Sequence, residues 1–256
     1  MCPQFNNALF VGKVAIRLTK VDSTNVYAKQ FISKMNPIEG TAIYADEQYA
    51  GRGQIGSKWD AEAKQNLTVS FIFNPTFLLA KEQFYLSQAV ALSIYDLLIS
   101  YGFSPKETKI KWPNDIYIKD KKIAGILIEN ILRGVHIQHS IVGIGININQ
   151  YKFNSDLKNP TSFQIEQQKK FDLEQVFLQL CDALEKWYLV LRSRAFNIIE
   201  KTYLNRLYLY QKKHRFFDNE RNDYVDGIIE GVTNSGWLLL RTSAGLEEIP
   251  LKRINF

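Results

Sequence analysis

Hydrophobic and polar positions repeat along the chain with two different periods, and the changes of period mark out its elements. Residues 14–18, VAIRL, alternate with a period of two, which predicts a half-buried strand, and Asp22, Ser23 and Thr24 then offer helix N-caps. Tyr27, Phe31 and Met35 recur every four residues on one helical face, which Asn36-Pro37 ends. Residues 40–48, GTAIYADEQ, predict a second strand. Residues 66–73, NLTVSFIF, predict a third, with Leu67, Val69, Phe71 and Phe73 on one side and Thr68 and Ser70 on the other. Apolar positions from Phe84 to Leu98 fill residues 81–100, a length that only a helix accommodates, and Gly102 supplies its stop.

Strands dominate the next part of the chain, at 108–112, 116–118, 123–132 and 136–149, with polar turns at 119–122 and 133–134. Strands this closely spaced form hairpins, so the sheet is expected to be antiparallel or mixed and not a repeated βαβ array. A polar stretch, 150–170, precedes a helix beginning at Asp172, whose stripe of Leu173, Val176, Phe177, Leu180, Leu184, Trp187 and Leu191 reads as core. From about residue 214 the texture changes to short strands at 224–232, 237–242 and 246–251 around the turn Asn234-Ser235-Gly236. The expected class is therefore α+β: a mixed, largely antiparallel sheet flanked by helices over residues 1–212, and a small C-terminal β-barrel domain over 213–256. About forty residues of hairpin are too few to be stable alone, so the small unit is expected to dock on the large one.

Composition adds limits. With 256 residues and 46% hydrophobic content the chain can bury a full core, and its formal charge of +6 permits an anionic partner. The basic excess is diffuse; its densest cluster, Lys212, Lys213, His214 and Arg215, reads as the solvated end of a linker, so no sequence-specific DNA binding is expected. Two cysteines, Cys2 and Cys181, are too few for a disulfide framework and fit a reducing compartment. Cys181 falls in the helical stripe and reads as a buried apolar thiol. No signal peptide precedes Cys2 and no run approaches 18 apolar residues, so a cytoplasmic protein with no membrane partner is expected. The three histidines, His136, His139 and His214, lack metal-ligand spacing.

Three stretches carry chemistry. GRGQIGSKW, residues 51–59, places three glycines, two cations and Trp59 in one loop. Such a loop is either a solvated surface turn or a lid whose backbone amides and Arg52 wrap an anion. KWPND, residues 111–115, breaks a strand at Pro113 and returns through Lys122 to Gly125, where a missing side chain lets a ligand reach the backbone. An edge hairpin with solvating lysines explains Lys119 and Lys121 but not Trp112-Pro113-Asn114-Asp115 beside a glycine. In VGIGININ, residues 142–149, Gly143 and Gly145 share one strand face with Asn147 and leave a flat groove for a planar ring or a neighbouring backbone. Neither a Rossmann fingerprint nor a Walker A loop is present.

DSTN (22–25), GRGQIGSKW (51–59), KWPNDIYIKDKKIAGILIE (111–129) and GIGININ (143–149) occur in the order and approximate spacing of biotin protein ligases, and the chain resembles that family from about residue 10 to its end. The resemblance implies a class II synthetase-like catalytic domain. It also implies ATP and Mg²⁺ as cofactors, biotin as substrate, and a biotin carboxyl carrier domain of a biotin-dependent carboxylase as acceptor, with the enzyme a monomer or homodimer. Carried over position by position, it places Ser23, Thr24, Gln48, Gly51, Arg52, Gly53, Lys122 and Gly125 at biotin. Trp59, Asn114, Asp115 and Asn147 fall at the nucleotide, Asp115 at Mg²⁺, and Lys122 and Arg52 at the reacting groups. The glycine loop is implied to fold over biotin and its adenylate. Lys111 matches the family pattern without a defined role. The sequence departs from many relatives at Ile55, where they carry a second basic residue, so closure is expected to rest on Arg52 and Lys58. It also starts at the catalytic domain, without the helix-turn-helix module that some relatives carry upstream. A lipoate or octanoate ligase, the nearest rival, would bring paired arginines in a different glycine motif or a catalytic cysteine. A nucleic-acid-binding module would bring clustered cations among exposed aromatics, whereas packing accounts for Tyr203, Tyr208 and Tyr210.

Overall fold

The computed structural model describes residues 7–54 and 57–256. Seven strands make the main sheet: β1 (Ala15–Leu18), β2 (Thr41–Ala45), β3 (Leu67–Phe73), β4 (Thr108–Lys111), β5 (Asp115–Ile118), β6 (Lys121–Arg133) and β7 (His136–Ile146). Their order is β1-β2-β3-β7-β6-β5-β4, with β1 parallel to β2 and every other pair antiparallel, which is the mixed sheet expected from the hairpin spacing.

The two faces of this sheet are covered unequally. Helix α2 (Gln83–Ser100) and helix α4 (Leu173–Arg192) pack together on one face and bury the main core, including Phe71, Phe73, Leu92, Ile94, Leu180 and Leu191. Among the described residues the other face receives one helix, α1 (Thr24–Lys34), whose Ala28 packs with Ile43, Ile72 and Ile141. An 11-residue helix cannot roof seven strands. The rest of that face, over β3, β7, β6 and the β4–β5 hairpin, is left as a cleft.

Strand β3 has the expected apolar and polar sides, yet all seven of its residues are buried. Its polar side points to α1 and the cleft and not to solvent: Thr68 donates to the Ala45 carbonyl at 3.1 Å, and Ser70 lies within hydrogen-bond distance of Thr24 and Asn25. The polar stretch 150–170 also holds a short helix, α3 (Phe163–Gln167), capped by the Ser162 hydroxyl accepting from the Ile165 amide. Five residues are too few to establish a 3.6 period.

The N-terminal segment ahead of β1, residues 8–11, is strapped down by α4. The buried carboxylate of Glu185 accepts from the backbone amides of Leu9 (2.6 Å), Phe10 (2.8 Å) and Val11 (3.1 Å), while Asp182 accepts from Ala8 (2.7 Å). A carboxylate is all acceptor, and an amide side chain is not. Glu185→Gln turns an NH₂ toward backbone donors and is expected to cost about 1–3 kcal/mol. In a chain of this size that is a fall of roughly 2–4 °C in Tm per kcal/mol. An unchanged Tm and urea midpoint would show that the strap contributes nothing.

Helix α5 (Phe196–Arg206), in which Tyr203 is fully buried, leads to the C-terminal strands β8 (Lys213–Asp218), β9 (Asp223–Val232), β10 (Leu238–Thr242), β11 (Gly245–Ile249) and β12 (Ile254–Asn255). They form one antiparallel sheet in the order β11-β10-β9-β8-β12. This corrects the expected barrel: the end strands do not pair with each other, so the sheet is open. With only two residues in β12, side chains span the gap instead. Arg253 donates to Asp218 of β8 at 3.0 Å and to Glu247 of β11 at 3.3 Å. The sheet docks through its β9–β10 turn, where the Gly236 carbonyl accepts from the Trp112 indole N–H at 2.9 Å and Asn234 accepts from Tyr85 at 2.8 Å. Gly236 has φ +95° with Phe84 against its α-carbon, so a side chain there would be both strained and obstructed.

Candidate active site

The open half of the sheet face forms a cleft of about 330 Å³. Its floor is β6 and β7, its back wall the start of α1, its roof the 51–59 loop, and its far end the β4–β5 hairpin together with Lys252 and Phe256 of the C-terminal unit. Of the predicted residues, Ser23, Thr24, Gln48, Arg52, Gly53, Trp59, Asn114, Asp115, Lys122 and Gly125 all line it. Stretches nearly a hundred residues apart thus converge on one space.

The back wall owes its shape to an unusual helix start. Ser23 stands at the N-cap of α1 in an extended conformation, but its hydroxyl makes no capping bond. Gln48 caps in its place, its Oε1 accepting from the Thr24 amide at 2.7 Å and the Thr24 hydroxyl at 3.0 Å. The Ser23 hydroxyl and the Gln48 NH₂ are thereby left for the cleft.

The glycines of GRGQ do different work. A β-carbon on Gly51 would lie 2.3 Å from the Trp59 carbonyl oxygen, and the Gly51 carbonyl accepts from the Trp59 amide at 3.0 Å. Gly51 therefore closes the neck of the loop and is not among the residues that line the cleft. Above the neck Arg52 bridges to Lys58, and Gly53 donates to the Ser57 carbonyl at 3.0 Å, so the loop is a short hairpin with both cations exposed at the cleft. Ile55 and Cys2 lie outside the described residues.

The glycine face of β7 differs most from expectation. A β-carbon on Gly143 would lie 2.3 Å from Asn25 Oδ1, and one on Gly145 would lie 2.2 Å from Trp59 Cε2. The flat groove thus receives two of the protein's own side chains. Gly145 pairs with Gly125 of β6, whose absent β-carbon would be 3.0 Å from Trp59 and 3.4 Å from the Lys122 side chain. The indole rests on this two-glycine platform with the Lys122 ammonium 5.8 Å from its ring centre, and its N–H is buried without a partner among the described residues. Asn147, two residues on, does not line the cleft. It is buried, it donates to the Thr161 carbonyl at 3.0 Å, and its Oδ1 has no partner among the described residues.

At the β4–β5 hairpin the turn carries a cis Trp112–Pro113 bond. Asn114 sews the turn to β6, donating from its side chain to the Ile126 carbonyl at 2.8 Å and accepting the Ile126 amide on its own carbonyl at 2.9 Å. Trp112 is buried and anchors the C-terminal unit. Asp115 pairs with Lys122 at 2.7 Å. Lys111 sits between the rings of Tyr117 (4.8 Å) and Phe256 (4.9 Å). Burial holds its ammonium below the usual lysine range, with Asp115 opposing and Lys122 and Lys158 adding to the depression.

Charge defines what the cleft can hold. Among the described residues lining it, Arg52, Lys58, Lys111, Lys122, Lys158 and Lys252 are cationic and Asp115 alone is acidic. Lys158 and Lys252 were not foreseen; Lys158 stands alone in polar sequence, Lys252 stands beside Arg253 in the last residues of the chain, and neither carries a local signal. Asn25 lay within DSTN and went unassigned, and Thr68 was read only as the polar side of a strand. Among the described residues no three His, Cys, Asp or Glu side chains gather to hold a metal. One carboxylate beside a cationic cleft fits Mg²⁺ that arrives on a nucleotide, since that ion commonly takes one or two protein carboxylates plus phosphate oxygens. Cys181 is buried in α4 and does not line the cleft, and no helix among the described residues is long and apolar enough to cross a membrane.

Known proteins share this architecture. The model of the biotin/lipoate A/B protein ligase family matches residues 17–147. A biotin–[acetyl-CoA-carboxylase] ligase of Paracoccus denitrificans is 32% identical over 93% of this chain and 99% of its own length. The bifunctional ligase/repressor BirA of Bacillus subtilis is 32% identical over 93% of this chain and 73% of its own. Among solved structures, the biotin protein ligase of Aquifex aeolicus in complex with biotin and ATP superimposes with a TM-score of 0.78 at 27% identity, covering 95% of this chain and 98% of that one. On sequence, fold and the convergence of its four motifs on one cleft, the chain belongs to the biotin/lipoate A/B protein ligase family, among the biotin protein ligases.

Proposed function

We propose that this protein activates biotin with ATP as biotinyl-5′-AMP and transfers the biotinyl group to a lysine of a biotin carboxyl carrier domain. The observation that carries the reading is the single cleft in which six cations and one carboxylate adjoin the polar start of α1. It offers a cationic end for a triphosphate and a neutral, hydrogen-bonding end for a small ring. In the first step a biotin carboxylate oxygen bonds to the α-phosphorus and the bond to pyrophosphate breaks. In the second the acceptor amine bonds to the acyl carbon, AMP leaves with the bonding electron pair, and the amine gives up a proton. Neither step needs a protein nucleophile.

Ser23, Thr24 and Gln48 are proposed to bind the ring system. Lys122 and Arg52 face the charge that develops where carboxylate meets α-phosphate, and fixed cations there stabilise the transition state more than the ground state. Asp115 orients Lys122 and is the carboxylate available to Mg²⁺, which when bound neutralises phosphate charge. Trp59 walls the nucleotide side, with Asn114 holding the hairpin and Asn147 supporting β7 behind it. Residues 1–212 are proposed as the catalytic domain and 213–256 as a docked second unit; cytoplasmic localisation and the absence of sequence-specific DNA binding belong to the same reading.

Pyrophosphate release with ATP and Mg²⁺ tests it directly, with biotin, lipoate and octanoate compared as the acid. Biotin is expected to be the preferred substrate by a wide margin, and lipoate or octanoate driving release equally well refutes the reading. The loop supplies a second check. With Gly51 and Gly53 at its base, the 51–59 hairpin is expected to lose susceptibility at Arg52 and Lys58 when biotin and ATP saturate the cleft, because anion contacts then offset its ordering entropy. Identical trypsin cleavage with and without ligands would remove the lid.

A further inference from the structure

Behind the ring-binding end of the cleft a line of polar side chains runs through the protein from Glu129 of β6. Asn25 Nδ2 donates to Glu129 at 2.8 Å and to the Leu127 carbonyl at 3.3 Å. Ser70 Oγ lies 2.6 Å from Asn25 Oδ1 and 2.7 Å from Thr24 Oγ1, and Thr24 in turn touches Gln48. Asn25, Ser70 and Thr24 are all buried, and Gly143 is a glycine at the point where any β-carbon would strike the Asn25 carboxamide.

Counting protons gives this line a direction. A carboxylate and a carbonyl only accept, so the Asn25 NH₂ must face Glu129 and Leu127, and its oxygen must face Ser70. That oxygen also only accepts, so the single Ser70 proton goes to Asn25. The Thr24 proton then has Ser70 Oγ and Gln48 Oε1 as its acceptors, both inside the protein. At the cleft surface Thr24 is left as an acceptor, and Gln48, its oxygen held by the Thr24 amide, is left as a donor. A cyclic urea carries adjacent N–H and C=O groups that match this pair; a dithiolane or an alkyl chain carries neither.

We propose that Glu129, acting through Asn25 and Ser70, is a positioning residue that sets the donor–acceptor polarity of the Thr24–Gln48 pair, and with it the selection of a cyclic urea head. The inference rests on the proposed biotin chemistry. It is tested by titrating biotin and ATP separately in pyrophosphate release for Glu129→Leu, Glu129→Gln and Ser70→Ala. Glu129→Leu and Ser70→Ala are each expected to raise the biotin KM about tenfold, the scale of one well-made hydrogen bond, with the ATP KM within about twofold of wild type. Their double variant should be no worse than either alone, because both cut the same line. Glu129→Gln keeps an acceptor for Asn25 and should stay within about threefold of wild type. A biotin analogue methylated on both ureido nitrogens, which lacks the N–H for Thr24, should be discriminated against about tenfold less by Glu129→Leu than by wild type. If Glu129→Leu does not fold, Ser70→Ala, which removes one hydroxyl from a strand, carries the test with the same expected values. Additive losses, equal changes in both KM values, or unchanged discrimination against the methylated analogue overturn the relay while leaving the biotin reading standing. Wild-type protein that releases no pyrophosphate with biotin overturns both.

Discussion

Lys122→Ala is expected to lower biotin-dependent pyrophosphate release by about 10²–10³-fold with the fold intact, the loss typical of removing one well-aimed donor to developing negative charge. The side chain is about one-third exposed, stands over the Gly125 platform and pairs with Asp115 at 2.7 Å. Deleting it therefore removes a cation and also leaves Asp115 facing the incoming phosphates alone. Lys122→Arg should recover only part of the rate, since a planar fork cannot occupy the position of a compact ammonium. Lys119 and Lys121 are the controls, because both are exposed and their carboxylate partners, Glu107 and Glu166, lie 3.8 and 3.9 Å away, out of the cleft. Their alanine variants should keep near-normal rates. Supplying chemically prepared biotinyl-adenylate should restore part of the transfer by Lys122→Ala, since the second step mainly needs the amine held beside the anhydride. Adenylation within a few-fold of wild type in Lys122→Ala, with Lys111→Ala failing instead, would place the reacting carboxylate at the other lysine of the hairpin.

Much of the architecture was legible because it is written in local periodicity. Strands β1 to β7 and helices α1, α2 and α4 each keep one side to an apolar neighbour over at least four residues, so their positions follow from the alternation. The convergence of the glycine loop, KWPND and Lys122 was legible through the family resemblance that those motifs carry. Three things were not, and each depends on what happens across the fold. Thr68 and Ser70 look like a solvent face, because alternation shows which residues differ from their neighbours and not what each side meets; here the polar side meets a helix start and a ligand cleft. Gly143 and Gly145 look like a seat for a ligand ring, but a missing β-carbon does not say who fills the space, and Asn25 and Trp59 fill it. Lys252 and Phe256 reach the cleft only because the C-terminal sheet is pinned by Trp112 and Tyr85, contacts of high sequence separation that leave no local pattern. The open C-terminal sheet has the same origin, since closure of a barrel depends on pairing of its first and last strands, and a two-residue β12 cannot supply it.

Gly145→Ala is expected to leave the protein folded and to lower kcat/KM for ATP by about 10²-fold, the scale of a misplacement of about 1 Å at a reacting site. The added methyl would lie 2.2 Å from the Trp59 indole. One of the two must yield, and the strand cannot: residue 145 pairs with Thr68 on one side and Gly125 on the other, in the middle of the sheet. Trp59 must therefore leave its platform, and the 51–59 hairpin, whose neck is the Gly51–Trp59 hydrogen bond, moves with it. Faster trypsin cleavage at Arg52 and Lys58 in Gly145→Ala would report that displacement independently of activity. The cause is separable by a double-mutant cycle. In a Trp59→Ala background the methyl has nothing to strike, so adding Gly145→Ala should cost less than about threefold, and the coupling between the two sites should fall in the range of 0.5–3 kcal/mol seen for residues in contact. If Gly145→Ala costs the same factor with and without the indole, the glycine serves a bound ring directly. Trp59 would then rest on the platform only while no ligand claims it.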